Sequence, residues 1–315
     1  MATPAQWIAG ARPRTLPAAI APVLAATGVV AYVHAEVWWK AALAMAVSLL
    51  LQVGVNYAND YSDGVRGTDE DRVGPMRLVG SGAATPASVK LAAFLSFGLA
   101  AIAGLVLAAT TAWWLVAVGV VSILAAWFYT GGSRPYGYLG LGEVMVFCFF
   151  GLVAVLGTVF VQEHDHVREF GWFAYSRLPG RDLAHYLVDP WPAAWWAAIG
   201  IGAIACAILV ANNLRDIPTD AESGKRTLAV RLGDRRTRVF YAALVALALI
   251  CLIDVAVTTH ALALVALVAF VPLGRAAVLV LRGATGPGLI PVLASTGAGE
   301  LLYGAGIFLG LLVAR

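Results

Sequence analysis

Asn56 to Asp71 (NYANDYSDGVRGTDED) and Asn212 to Asp220 (NNLRDIPTD) each follow directly on a long apolar run. Both contain Ala-Asn with an Asp four residues after the Asn: Ala58, Asn59, Asp63 and Ala211, Asn212, Asp216. Each has a further Asp beyond, Asp69 and Asp220. Positions four apart share a helix face, which pairs Asn56 with Asp60 and Asn59 with Asp63. Asp216 and Asp220 have the same spacing, but Pro218 disfavours helical geometry at Ile217, so the second motif is expected to straddle a helix end. Two like charges 4 Å apart cost roughly 4 kcal/mol at an effective dielectric of about 20. A cation offsets that cost, and donors that are all oxygen favour Mg²⁺ over zinc. The paired motifs therefore suggest one shared cation site, against the plainer reading of polar loops capping helix ends.

Basic residues accompany both motifs. Arg66, Arg72 and Arg77 follow the first, and Arg215, Lys225 and Arg226 flank the second. Carboxylates beside Arg and Lys suit a diphosphate, whose leaving group needs neutralising from both sides. A third segment, YTGGSRPYGYLGLGE (Tyr129 to Glu143), adds Arg134, three tyrosines and several glycines. Those glycines serve either a close backbone approach to a ligand or simple turns.

The elements that must position these residues are membrane helices. Charged residues make up 12% of the 315-residue chain, 61% is hydrophobic and the mean hydropathy is +0.82; a soluble domain carries roughly 25% charged residues. Spanning backbone must satisfy its own hydrogen bonds, and the apolar runs do not alternate as barrel strands do, so the class is all-α and polytopic. Nine segments emerge, at about 15–33, 38–58, 86–109, 112–130, 141–162, 192–214, 238–258, 260–281 and 289–313, each near the length a span needs. Pro17 and Pro22 predict a kinked or broken first span. With the N-terminus inside, sixteen of the 21 Lys and Arg fall on the inner side, which puts the N-terminus and both motifs in the cytoplasm and the C-terminus outside. The chain reads as one domain, 1–315, and the shared Asn-x-x-x-Asp pattern hints at a duplication of helices 1–4 as 5–8.

Other residues carry weaker signals. Cys148, Cys206 and Cys251 lie in apolar runs without zinc-ligand spacing and read as small core residues. The outer segment of about 163–191 carries His164, His166 and His185 and reads as a solvated loop at the membrane surface. Trp38, Trp39, Trp191, Trp195 and Trp196 mark an aromatic belt at the outer interface. Glu300 sits mid-span, where a carboxylate is costly; it is expected to face a cavity or to hydrogen-bond a neighbouring helix or carbonyl. Gly306 and Gly310 have the small-xxx-small spacing of close helix packing, within the chain or in a homo-oligomer.

The blocks ARPRTLPAAIAPVL, NDYSDGVRGTDED, RVGPMRLVGSG, YTGGSRPYGYLGLGE and NNLRDIPTDAESGKRTLAVRLG together resemble the menaquinone branch of the UbiA superfamily of intramembrane aromatic prenyltransferases. The resemblance covers most of the chain and implies nine helices around a central cavity with cytoplasmic cap loops, in a bacterial plasma membrane. It implies that Asn59, Asp63, Asp69, Asp216 and Asp220 hold Mg²⁺ on a polyprenyl diphosphate, with Arg66, Arg72, Arg134, Arg215, Lys225 and Arg226 on the diphosphate. Related enzymes often carry a Lys after YTGG, and here Arg134 stands near that place. The implied reaction joins the prenyl group to 1,4-dihydroxy-2-naphthoate with loss of CO₂. Asp60 is the candidate base for a ring hydroxyl, with helix capping as its alternative role. Tyr129, Tyr136 and Tyr138 are candidates to stabilise the allylic cation by their ring faces. The lipid bilayer is the setting, and nucleic acid is not an expected partner.

Three other functions share parts of this pattern. Asp60-x-x-Asp63-Gly64 begins like a CDP-alcohol phosphotransferase signature, but the continuation of that signature is missing. A cation-coupled transporter would use such carboxylates near the bilayer midplane, whereas these lie at span ends. Another aromatic acceptor, 4-hydroxybenzoate or homogentisate, fits the same donor chemistry.

Overall fold

A computed structural model describes residues 2–67, 76–133, 135–174 and 189–315, with side chains from 165 to 174 excepted. All regular elements among them are helical. The helices of the bundle are α1 (Pro4–Gly10), α2 (Pro17–Tyr32), α3 (Trp38–Arg66), α4 (Pro86–Thr110), α5 (Leu115–Phe128), α6 (Gly142–His164, its helix continuing to Ala174), α7 (Trp191–Arg215), α8 (Asp234–Thr258), α9 (Ala261–Leu281) and α10 (Gly286–Ala314). Seven are long and apolar enough to cross a membrane, α1 and α2 form a further span bent by 51°, and α5 is a shorter apolar helix. The expected nine segments are all there.

The expected break in the first span falls before Pro17 and not at Pro22, which lies inside a continuous α2. Arg12 takes a left-handed φ of 53° ahead of Pro13, and a short turn at Pro13–Thr15 reorients the chain. Pro17 then opens α2, where a missing N–H costs nothing.

Helices α2, α7 and α10 form the centre. Small residues let their backbones approach: a Cβ on Gly304 would meet the Ala21 backbone of α2, and one on Gly28 the backbone of Phe308. Gly306 and Gly310 lie against Ala266 and Leu262 of α9. Their spacing therefore serves packing inside this chain; buried as they are, they offer no face for the dimer contact also considered.

Within α6, residues Phe147–Val153 form a π-helical segment. Its wider turn aims the adjacent Phe149 and Phe150 at one cavity, while Gly151 rests against Gly202 of α7. Such segments are a frequent companion of functional sites.

Glu300 is fully buried, and neither carboxyl oxygen has a hydrogen-bond partner among the described residues. The expected bond to a helix or carbonyl is not made, and Glu300 does not line the cavity. All three cysteines are free, with Cys206 and Cys251 buried. Trp38 and Trp39 open α3 and Trp191, Trp195 and Trp196 open α7, all at the end of the bundle away from the motifs. His164 rests at 5.6 Å against Phe160; the side chain of His166 and all of His185 lie outside the described residues.

Candidate functional site

The described part of the first motif is helical up to Arg66. α3 runs through Asn56, Asn59, Asp60 and Asp63 to Arg66 and stops at Gly67, whose φ of 71° and N–H bond to the Asp63 carbonyl form a glycine C-cap. The second motif straddles a helix end as expected. α7 ends at Arg215, Asp216 sits at φ −94°, and a short helix, Ile217–Glu222, restarts with Pro218 in its first turn. Asn59, Asp63, Asp216 and Asp220 are all buried.

Tyr138 ties the two motifs together. Its hydroxyl donates to Asp63 Oδ1 at 2.6 Å. The Arg66 guanidinium lies 5.6 Å and the Lys225 ammonium 4.6 Å from its ring centre. Its carbonyl accepts from the Arg226 backbone N–H at 2.9 Å. Arg231 adds bonds to the Leu139 and Arg226 carbonyls. Burial pushes the Tyr138 phenol well above its usual range, and the charge and hydrogen bond of Asp63 push it further, with Arg66 opposing. Tyr138 is therefore a fixed proton donor to Asp63 at neutral pH.

Backbone freedom closes this loop. A Cβ on Gly137 would lie 2.7 Å from the Tyr129 carbonyl oxygen, and Gly140 has φ 77°. Gly137 and Gly140 serve the folding of the loop on itself.

Asn59 Oδ1 accepts from the Thr130 hydroxyl at 2.6 Å, and Arg66 donates to the Thr130 and Gly132 carbonyls. Arg77 pairs with Asp63 at 3.5 Å. Arg215 holds Asp216 through both carboxylate oxygens, at 2.7 and 2.8 Å, and also reaches Asn212. The guanidinium expected on a diphosphate thus fixes Asp216. Arg226 is exposed. Asp69, Arg72 and Arg134 lie outside the described residues.

Asp60 takes a different part from the expected base. It is fully buried, and its two oxygens accept the Leu78 and Val79 backbone N–H groups at 2.8 and 3.0 Å. With both oxygens on backbone donors, it anchors the chain after the first motif.

A cavity of about 250 Å³ opens between α3, α4, α5 and α6, lined almost wholly by apolar side chains. Tyr129 and Tyr136 close its end nearest the motifs, their rings meeting edge-on at 5.5 Å. Tyr136 donates to the Ala125 carbonyl at 2.7 Å, and burial raises its phenol above the usual range. Of the three tyrosines expected around a cation, Tyr129 and Tyr136 face this cavity, while Tyr138 belongs to the charged cluster.

Sequence reasoning passed over Glu143, Asn213 and Gln52. Glu143 is buried and accepts from Asn213 at 2.9 Å, tying α6 to the second motif. A carboxylate adjoining a glycine loop, and the Asn-Asn doublet, were the available signals. The donors expected for Mg²⁺ are all oxygen, which fits that ion. Among the described residues no three carboxylate, imidazole or thiol groups converge on one point, and the expected set includes Asp69.

A model of the UbiA prenyltransferase family matches residues 17–287. The chain is 53% identical over 303 residues to a 1,4-dihydroxy-2-naphthoate octaprenyltransferase of Mycobacterium tuberculosis, covering 96% of this chain and 95% of that one. In fold it is similar to a UbiA homolog from Aeropyrum pernix, at a TM-score of 0.69 and 15% identity over 93% of this chain and 97% of that one. A UbiA homolog from Archaeoglobus fulgidus bound to DMAPP and Mg²⁺ matches with a TM-score of 0.57 and 13% identity, covering 96% of this chain and 98% of that one.

Proposed function

The chain belongs to the UbiA prenyltransferase family, and we propose that it transfers a polyprenyl group from polyprenyl diphosphate to 1,4-dihydroxy-2-naphthoate with loss of CO₂. The product is demethylmenaquinol. The observation that carries this reading is the adjacency of a charged cluster and an apolar cavity, separated by Tyr129 and Tyr136. An allylic diphosphate has that polarity: a multiply charged head on an apolar tail. The acceptor rests on the identity to the mycobacterial octaprenyltransferase across almost the whole chain.

Asn59, Asp63, Asp216 and Asp220, with Asp69, would hold Mg²⁺. Bound there, the ion supplies Lewis-acid stabilisation of the departing pyrophosphate. Tyr138 and Arg77 orient Asp63, and Arg215 orients Asp216. Lys225 and Arg66 bring positive charge against the Tyr138 ring, where they favour a diphosphate. The C1–O bond breaks, and the pyrophosphate takes the electron pair. The apolar cavity keeps water from the allylic cation, and Tyr129 and Tyr136 offer their rings to it. The electron-rich ring attacks C1 through the carbon bearing the carboxylate. The C–CO₂ bond then breaks, its electron pair restoring aromaticity as CO₂ leaves. Asp60 acts by holding residues 78 and 79, and loss of CO₂ restores the ring without release of a ring proton.

The protein is a multi-pass membrane protein. The sixteen-to-five distribution of Lys and Arg supports placing the motif end in the cytoplasm. The test is an assay on purified protein with prenyl diphosphate, offering 1,4-dihydroxy-2-naphthoate and 4-hydroxybenzoate in parallel, with Mg²⁺ or EDTA. A prenylated product lacking the carboxyl mass, formed from the naphthoate only with free Mg²⁺, is expected. Product from 4-hydroxybenzoate alone would reassign the acceptor. No product at all from folded protein would return a transport role to consideration.

A further inference from the structure

The inner face of α3 carries a polar stripe that continues past the motif into the bilayer. Asp63, Asn59, Asn56 and Gln52 follow one another at spacings of four, three and four residues, and all are buried. Gln52 lies eleven residues from Asp63, about 16 Å along the axis. A polar side chain at that depth costs free energy unless its groups are paired.

The hydrogen bonds around it converge on Thr15. Thr15 has one hydroxyl proton, and it goes to the Arg12 carbonyl at 2.9 Å. Thr15 Oγ1 is then an acceptor for its other neighbours. Asn56 Nδ2 donates to it at 2.9 Å and to the Ala11 carbonyl at 2.8 Å. Gln52 Nε2 also donates to it at 2.9 Å and to Asn56 Oδ1 at 3.5 Å. Turning the Gln52 amide over would set oxygen against oxygen at Thr15, so the orientation of the amide is fixed by the network. Nε2 faces Thr15, and Oε1 faces away from it. That Oε1 is buried and has no hydrogen-bond partner among the described residues. Gln52 is 7% exposed, and it lines the cavity that Tyr129 and Tyr136 close at the motif end. Two other polar side chains along the cavity are committed elsewhere: Ser48 to the Ala19 carbonyl and Ser122 to the Val118 carbonyl.

We propose that Gln52 binds the aromatic acceptor, its Oε1 accepting a hydrogen bond from one ring hydroxyl. The proposal rests on the prenyl-transfer reading above and deepens it. An amide oxygen whose nitrogen is already held accepts and does not donate. It therefore takes a phenolic O–H and gives nothing to a carboxylate. The bond places the ring on the α3 wall of the cavity, below the charged end, with its carboxylate carbon free to face the prenyl C1. A neutral acceptor also holds the hydroxyl without a buried charge.

The test compares wild type with Gln52→Met, which keeps side-chain length and removes both amide groups. The expected result is a fall of roughly 10- to 100-fold in kcat/KM for the naphthoate, with KM for the prenyl diphosphate unchanged. The two monomethyl ethers of the naphthoate give a second readout on wild-type protein without donor. One ether is expected to bind at least tenfold more weakly than the other, and Gln52→Met to bind the two alike. A wild type that prenylates the naphthoate yet binds both ethers equally overturns the role of Gln52, as does a Met variant with wild-type kinetics. A wild type that forms no product from the naphthoate sinks the prenyl-transfer reading instead, so the two failures are told apart.

Discussion

The Tyr138 hydroxyl and the Asp63 carboxylate, 75 residues apart in sequence, meet at 2.6 Å. That bond joins the glycine loop to the first motif, and the Tyr138 backbone joins the same loop to the second through Arg226. Removing the hydroxyl while keeping the ring isolates its effect. Partners that orient a metal-ligating carboxylate are typically worth 10- to 100-fold in metal affinity or activity. Tyr138→Phe is therefore expected to lower kcat/KM by that range and to raise the Mg²⁺ concentration giving half-maximal activity. Titrating Mg²⁺ in the prenyl-transfer assay measures both. An unchanged Mg²⁺ dependence would separate Tyr138 from the cation site.

The two motifs are expected to act as one site. Asp63→Asn and Asp216→Asn each remove one carboxylate charge at nearly constant volume. Both should abolish turnover while leaving thermal stability in detergent within a few degrees of wild type. If they share one site, the double variant should be no worse than either single one, since groups acting as a unit are not additive. Residual activity that falls by separate factors in the two single variants would point to independent sites.

Tyr138 and Tyr136 also set a pH dependence. Both phenols are held above their ordinary range, chiefly by burial. In the unfolded chain they ionise near pH 10. Above that pH the unfolded state releases protons that the folded state keeps, so stability falls as pH rises. Below it their contribution is fully present. Thermal melts from pH 8 upward are expected to be flat to about pH 9.5 on this account and to decline beyond. The decline should be shallower in Tyr138→Phe, and an identical slope in the variant would remove Tyr138 as its cause.

Much of this fold can be read from hydropathy alone, because a span must be apolar over its whole length. The segment expected at 86–109 is the helix Pro86–Thr110, and the Pro218 argument gives the restart at Ile217–Glu222. The site is less legible. Asp63 and Asp216 are visible as a repeated spacing, but Tyr138 between them depends on how a loop closes over Gly137, which no local pattern encodes. Asp60 matches the motif as well as Asp63 does. What separates them is tertiary: Asp60 turns to the Leu78 and Val79 amides, one helix face away. The broken first span follows the backbone at Arg12 and not the more conspicuous Pro22, since a proline is tolerated where neighbouring helices compensate.

Lys40 reports on stability without touching the site. It is fully buried at the start of α3, and its ammonium donates to the Thr110 carbonyl and Thr111 hydroxyl at 3.2 and 2.9 Å. A cation there caps the C-terminal carbonyls of α4 and opposes their negative dipole end. Lys40→Met leaves those acceptors without this donor, at a cost of about 1–3 kcal/mol. Asp63 lies some 23 residues along α3, about 34 Å away. Melting in detergent should drop by several degrees while kcat and both KM values stay at wild-type levels. A selective loss of activity would contradict a purely structural role.

Gly104, Gly119 and Gly157 come from α4, α5 and α6, and all three line the cavity. A Cβ at any of them would meet nothing within 4 Å. They are therefore places where the cavity can be narrowed without disturbing packing, unlike Gly54, where a Cβ would strike Phe97. Gly119→Leu fills space on the α5 wall that a prenyl tail would occupy. Long donors should lose kcat/KM by roughly 10-fold or more, in line with what an excluded hydrophobic group is worth. A short donor such as geranyl diphosphate should lose little. The ratio of the two kcat/KM values, measured at saturating naphthoate, is the readout. Equal loss for both donors would mean that the tail takes another path out of the site.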